Sequence, residues 1–244
     1  MSRPVNHQND PLGHTTLEVI SSAGRFNTWM YETIEPFCSG RILEIGSGIG
    51  NISEFFLASG YTIALSDLRK NYLELLGQKF SGYPNLDNIL QLDLVDSNFD
   101  RNFSPYLETF DTVFALNVVE HIENDQLAIQ NAGKLLKEGG TLIILVPAYN
   151  FLYNRFDSLL GHYRRYTRKS LKGLFLNNGL RILQSRYFNL AGTIGWYVSG
   201  KILRNDTIPG GQMKLYNKLV PVFRLLDKFF FNAAGLSVIV TGKK

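Results

Sequence analysis

Cysteine is all but absent from this 244-residue chain, with Cys38 its only one. That excludes a disulfide framework, a thiolate zinc site and a three-cysteine iron–sulfur cluster. Histidine is nearly as scarce: His7, His14, His121 and His162 stand far apart, so no metal site is expected. No run of 18 apolar residues occurs, which excludes a helix that spans a bilayer. The stretch 1–10 is polar, so no secretory leader is expected and the default compartment is the cytoplasm. Acids almost vanish after residue 150, where only Asp157, Asp206 and Asp227 remain.

An apolar content of 45% excludes a disordered chain, and the length suits one globular domain with an attached subdomain. Residues 1–150 hold nine Lys and Arg against 18 Asp and Glu, whereas residues 151–244 hold 16 against three. So sharp a break points to two functional surfaces, one of them meeting something anionic. A merely solvated basic exterior is the bland alternative.

Short apolar runs alternate with helical patterns. A helical region over 15–37 comes first. Strands are expected at 41–45, 61–66, 88–92, 111–116 and 141–146, and their unbroken apolar runs suit burial on both faces. Between the first two strands, Asn51 and Glu54 form a capping-box pattern for a helix that Gly60 stops. Asn124 or Asp125 caps a second helix reaching Glu138, with Lys134 and Lys137 in its last turn and Gly139-Gly140 beyond. A basic helix over 167–177, a strand at 180–188, helices over 190–203 and 213–231, and a strand at 236–241 follow. The β-α-β-α rhythm predicts a doubly wound, mostly parallel sheet. The organisation expected is a helical cap at 1–40, a core at 41–188, a helical lid at 189–235 and a returning core strand at 236–244.

The sharpest local signal is Glu44-Ile45-Gly46-Ser47-Gly48-Ile49-Gly50, where a strand turns into a helix. Glycines there let backbone N–H groups approach a ligand. A dinucleotide fingerprint would need glycine where Asn51 stands, and Glu44 would repel a pyrophosphate. No lysine follows, so the loop is not a P-loop. Asp67, Asp93 and Asn117 each fall at the carboxyl end of an expected strand, which is where open α/β sheets bind ligands. Either carboxylate alone reads as a cap; all four positions together read as a site.

These motifs in this order, with Leu92-Asp93-Leu94 and Asn117-Val-Val-Glu-His121, resemble the class I S-adenosylmethionine (SAM)-dependent methyltransferases over residues 15–188. The resemblance implies a Rossmann-like seven-stranded sheet whose last strand is antiparallel. It implies SAM as cofactor and S-adenosylhomocysteine as product. Glu44 and the loop of Gly46, Ser47, Gly48 and Gly50 would cradle the methionine end, and Asn117 would line it. Asp67 would hold the ribose and Asp93 the adenine amino group, with Leu68 and Leu94 flanking the ring.

More narrowly, the segment from Tyr149 to Asp157 and Gly161-His-Tyr-Arg-Arg-Tyr-Thr167 is similar to a bacterial subgroup also found beside glycosyltransferases that use polyprenyl phosphates. Arg25 and Trp29 match that subgroup and would close over the cofactor.

Methyl transfer from a sulfonium is an in-line displacement, so much of the catalysis can be positioning. An oxygen acceptor can also need a base. His162 is the first candidate and His121 the second. Tyr149, Arg164, Arg165 and Tyr166 are the candidate acceptor contacts, the arginines offering forks suited to phosphate or carboxylate.

The expected lid interleaves Trp196, Tyr197, Tyr216, Phe223 and Phe229-Phe230-Phe231 with Lys201, Arg204, Lys214, Lys218, Arg224 and Lys228. It reads as a lid core, a dimer interface or a peripheral contact at the inner membrane surface. The function expected is methyl transfer to an anionic small molecule, glycan or lipid-linked acceptor, by a monomer or homodimer. Alternatives are an RNA ribose or ring-nitrogen methyltransferase and a SAM-binding scaffold. Nucleic acid is disfavoured, because Asn117-Val-Val-Glu120 replaces the Asn/Asp-Pro-Pro-aromatic motif of amino-methylating enzymes and Cys38 lies far from where a pyrimidine C5 nucleophile belongs.

Overall fold

The computed structural model describes residues 11–203 and 210–244. The polar start of the chain with His7, and Arg204 and Asp206 of the expected lid, lie outside the described residues.

Helices α1 (Pro11–Ser21) and α2 (Gly24–Ile34) lead into strand β1 (Ile42–Ile45). They divide at the buried Ala23, whose φ of −97° and ψ of 62° are not helical, so the single helical region expected there is two helices. Alternation follows: α3 (Ser53–Ala58), β2 (Ile63–Asp67), α4 (Lys70–Phe80), β3 (Leu86–Gln91), α5 (Phe99–Asn102), β4 (Phe110–Leu116), α6 (Asp125–Leu135) and β5 (Leu136–Pro147). Beyond β5 come α7 (Arg155–Leu159), α8 (Arg168–Asn177) and β6 (Arg181–Phe188). Then α9 (Leu190–Trp196), a π-helical turn (Tyr197–Ile202) and α10 (Gly210–Phe229) precede β7 (Ser237–Lys243).

The seven strands form one sheet in the order β3-β2-β1-β4-β5-β7-β6. Only β7 runs antiparallel to its neighbours, β5 and β6. Alternate side chains serve opposite faces of the sheet. Leu43, Ile45, Val113, Leu142 and Ile144 enter one apolar cluster, and Ile42, Phe114, Ile143 and Leu145 enter the other. Burial on both faces is the reason these strands are continuous apolar runs.

Two local expectations are corrected. Asn51 does not cap α3, which starts two residues later; its amide donates to the Leu17 carbonyl of α1, and Glu54 pairs with Lys79 instead of closing a box. Helix α6 stops at Leu135, because Leu136 already pairs with Phe110 on β4. Lys137 therefore leaves the helix and pairs with Asp111 at 2.8 Å. Asn124 does cap α6, accepting from Leu127 N–H, and Thr167 caps α8 with a full capping box through Ser170.

The helices between β6 and β7 pack back on α2. Phe26 meets Tyr216 edge-on at 5.8 Å, and Arg224 pairs with Glu32. Asp227, 2% exposed, accepts the N–H groups of Asn189 and Leu190 and so holds the start of α9. Asp157 is wholly buried as well. The described surface of the basic part thus carries no exposed carboxylate side chain.

Candidate active site

Strand order reverses between β1 and β4, and a crevice opens at their carboxyl ends, as open α/β sheets require. It widens into a cavity of about 1230 Å³. Glu44, Gly46, Ser47, Gly48, Asp67, Leu68, Asp93, Leu94 and Asn117 all line it, from four different strand ends. His121, His162 and Arg165 line it too.

The glycine loop has a steric reason. Gly46 has a φ of +73°, and a Cβ there would fall 2.4 Å from Val118 Cγ2. Only glycine lets the loop after β1 pass so close to the chain leaving β4. Asp67 then ties the loop down, accepting the N–H of Gly48 and of Arg69, each at 3.0 Å. Asp93 accepts from Val95 N–H at 2.9 Å.

Glu44 is 5% exposed and accepts from Ser53 Oγ. Burial pushes its carboxyl up to about 7, against the pull of the Ser53 and Ser47 hydroxyls. Burial also raises Asp67, with the N–H groups of Arg69 and Gly48 pulling the other way. This end of the cavity is therefore a pair of carboxyl groups in an apolar wall, suited to a ligand that carries a cation and hydroxyl donors.

The opposite end is built on α7 and the loop after it. Asp157 Oδ1 lies 2.9 Å from His162 Nδ1 and 2.9 Å from Arg165 Nε, while its other oxygen accepts the N–H of Asn154. Burial would raise the Asp157 carboxyl, but His162 and Arg165 hold it below its ordinary value. An ionised carboxylate only accepts, so Nδ1 of His162 donates to Asp157 and Nε2 is the ring nitrogen that this pair leaves unused. The His121 ring meets the His162 ring edge-on, with centroids 4.6 Å apart. Glu120 completes this end. It is fully buried, neither carboxylate oxygen has a hydrogen-bond partner on another residue, and burial pushes it up to about 8 against its own backbone N–H and the Arg165 charge.

Six sequence candidates stand elsewhere. Gly50 is backed by Phe80, whose Cε2 would lie 2.3 Å from a Cβ, so its glycine serves packing. Trp29 is buried against Phe188 with centroids 4.4 Å apart, and Arg25 donates to the Lys218 carbonyl, joining α2 to α10. Tyr149 stacks on Tyr187. Arg164 turns to the Glu123 carbonyl and Asp125, and the Tyr166 hydroxyl also donates to Asp125.

Asp157 and the inward aim of Glu120 were not found from the sequence. The available signals were slight: a lone acid five residues before His162, and an acid directly preceding His121.

A family model for a methyltransferase domain matches residues 26–185. A polyketide synthase–nonribosomal peptide synthetase of Aspergillus clavatus is 31% identical over 108 residues, 43% of this chain and 3% of that protein. A ubiquinone biosynthesis O-methyltransferase of Vibrio atlanticus is 24% identical over 50% of each chain, so this chain spans at most half the length of these relatives. Among solved structures, phosphoethanolamine N-methyltransferase 2 of Haemonchus contortus, in complex with S-adenosyl-L-methionine, superposes with a TM-score of 0.63 at 16% identity, covering 96% of this chain and 58% of that one. The matched residues run from α2 into β6 and include the strand ends that carry Glu44, Asp67, Asp93 and Asn117, and the chain belongs to the family of methyltransferase domains, with the class I SAM-dependent fold.

Proposed function

We propose that this domain transfers a methyl group from SAM to an oxygen of an anionic acceptor, and that the acceptor is carried on a lipid. The observation behind this reading is that one cavity joins three zones. The carboxylates of Glu44, Asp67 and Asp93 form one zone, the His162–Arg165 cluster a second, and Val198, Leu215 and Leu219, which line the same cavity and are exposed, a third.

SAM supplies a sulfonium methyl group. Glu44 and the N–H groups of the glycine loop would hold its methionine end, with Asn117 beside them. Asp67 would take the ribose hydroxyls, Asp93 the adenine amino group, and Leu68 and Leu94 the faces of the ring. Charge-assisted hydrogen bonds of this kind contribute about 1.5–3 kcal/mol each. Arg165 would meet an acidic acceptor from a fixed position, since Asp157 and the Ala148 carbonyl already hold its guanidinium. His162 and His121 would activate the acceptor hydroxyl, with Asp157 fixing the ring of His162.

The lipid part of the reading rests on α10. Its inward residues Met213, Tyr216, Val220, Phe223 and Asp227 repeat at heptad spacing, and Leu215, Leu219, Val222, Leu226 and Phe229 repeat at the same spacing on another side. This second stripe is 38–75% exposed. Exposed Lys214, Lys218 and Lys228 stand beside it. An apolar stripe flanked by lysines fits an anionic bilayer surface, where each lysine contributes about 1 kcal/mol. Two copies of so basic a face would repel each other. Among the described residues no helix is long and apolar enough to cross a membrane, so the contact would be peripheral.

The test is transfer of labelled methyl from SAM into a cell-envelope lipid extract, followed by organic–aqueous partition. Label in the organic phase is the expected result. Aqueous label that resists nuclease and protease would replace the lipid with a soluble glycan or small molecule. Nuclease-sensitive label would make the acceptor RNA, and SAM binding without transfer to any fraction would leave a scaffold.

A further inference from the structure

Glu120, His121 and His162 each present one ligating atom, and these three atoms lie within 4.8 Å of one another. We propose that they hold one divalent transition-metal cation at this end of the cavity, with the remaining coordination positions open to it.

Two features besides proximity point to a cation. The first is the Glu120 side chain, which is fully buried with both oxygens lacking a hydrogen-bond partner on another residue. A buried carboxylate without a partner is costly, and coordination to a metal is one of the few ways to satisfy it. The second is the support behind His162. Histidines that ligate a metal characteristically donate the other ring N–H to a carboxylate, which fixes the ring and strengthens the free nitrogen as a donor. Asp157 does this at 2.9 Å from Nδ1, and at full burial.

Charge agrees. Glu120 and Asp157 are two buried carboxyl groups, and the guanidinium of Arg165 is bonded to Asp157. Arg165 acts on Glu120 only from beyond ion-pair distance, so one guanidinium serves two buried carboxyl groups and a cation beside Glu120 would not be repelled by a net positive cluster. An ion about 2.1 Å from each ligand needs the ligand atoms roughly 3–3.5 Å apart, so side-chain shifts of about an ångström bring all three into bonding range. Two imidazoles with one carboxylate suit zinc, iron(II), manganese or cobalt better than magnesium or calcium, which prefer oxygen throughout.

Binding of the cation rests on this geometry alone. That it faces a methyl acceptor rests on the transfer reaction proposed above. In that setting the ion would lower the pKa of an acceptor hydroxyl bound at an open position, and His162 would act as a ligand rather than as the base.

The test uses the full chain without an affinity tag, titrated with Co²⁺ as an optical probe and then with Zn²⁺ as competitor. One equivalent of Co²⁺ should develop the visible d–d bands of an imidazole–carboxylate site, and Zn²⁺ should displace it. Glu120→Gln, His121→Ala and His162→Ala should each weaken Co²⁺ binding by about 100-fold or more. Asp157→Asn should weaken it by about 10–100-fold, and His14→Ala should not change it. Calorimetric SAM binding by the same variants reports that they are folded. A spectrum of aquated Co²⁺ alone, or bands that survive all three ligand substitutions, would overturn the proposal. A chain that binds SAM and transfers methyl without taking up Co²⁺ overturns this site and leaves the transfer reading intact. Uptake of Co²⁺ without SAM binding does the reverse.

Discussion

Gly48 donates its backbone N–H to the carboxylate of Asp67 at 3.0 Å, so the side chain that ends β2 also shapes the loop that follows β1. Asp67→Ala is expected to weaken SAM binding more than tenfold by calorimetry, through loss of both the carboxylate and the loop tether. Asp67→Asn, whose amide oxygen can still accept from Gly48, should lose less. Unchanged affinity in the alanine variant would move the ribose site elsewhere.

Two glycines separate backbone strain from steric fit. Gly60 has a φ of +82° with nothing within 4 Å of a Cβ, whereas Gly46 has a φ of +73° and faces Val118 at 2.4 Å. Gly60→Ala should cost about 1–2 kcal/mol of unfolding free energy, the ordinary left-handed penalty. Gly46→Ala should cost about 1–3 kcal/mol more from overpacking. Equal losses in denaturant titrations would remove the close approach as the reason for Gly46.

Glu44 makes stability depend on pH. Its carboxyl has a folded-state pKa of about 7 against an ordinary 4.5, so folding takes up a proton within that window. The stability from the neutral form is fully present below about 4.5 and is lost as pH rises through about 7, a change of about 3 kcal/mol. Glu44→Gln should lack this fall. Thermal unfolding at pH 5 and pH 8 checks it: an equal decline in both proteins would assign the pH dependence to other groups.

The Asp157–His162 pair should govern turnover and not cofactor binding. His162→Ala is expected to lower kcat at least 100-fold with SAM affinity unchanged. Asp157→Asn should lower kcat about tenfold or more while the ring itself remains. Normal turnover in the His162 variant would leave positioning alone as the source of catalysis.

The outer stripe of α10 should set partition to lipid. Leu226→Glu with Phe229→Glu is expected to reduce binding to phosphatidylglycerol vesicles at least tenfold, without change in SAM affinity. Wild-type protein that stays unbound by flotation but elutes as a dimer, which the double variant abolishes, would make the stripe a self-association face.

The order of elements was legible because each carries its own local signal. Buried parallel strands read as unbroken apolar runs, and Asn124, Thr167 and the glycines after helices mark ends that depend on neighbouring residues only. The carboxyl-end rule then placed Glu44, Asp67, Asp93 and Asn117 in one crevice, since parallel strands align their ends. What failed was local chemistry overruled by contacts distant in sequence: Asn51 bonds to Leu17 in α1, and pairing with Phe110 ends α6 early.

Pattern and spacing in the amino-acid sequence thus determined the class of fold, the glycine loop and the gathering of Glu44, Asp67, Asp93 and Asn117 at one cavity. Only the tertiary structure decided which residues share the other end. Burial cannot be read from a lone Glu120 or Asp157; it arises when β4, α7 and the loop carrying His162 close around them and exclude water. The same packing turned Arg164 and Tyr166 toward Asp125 and left Arg165 facing the cavity, although the three are adjacent in the chain.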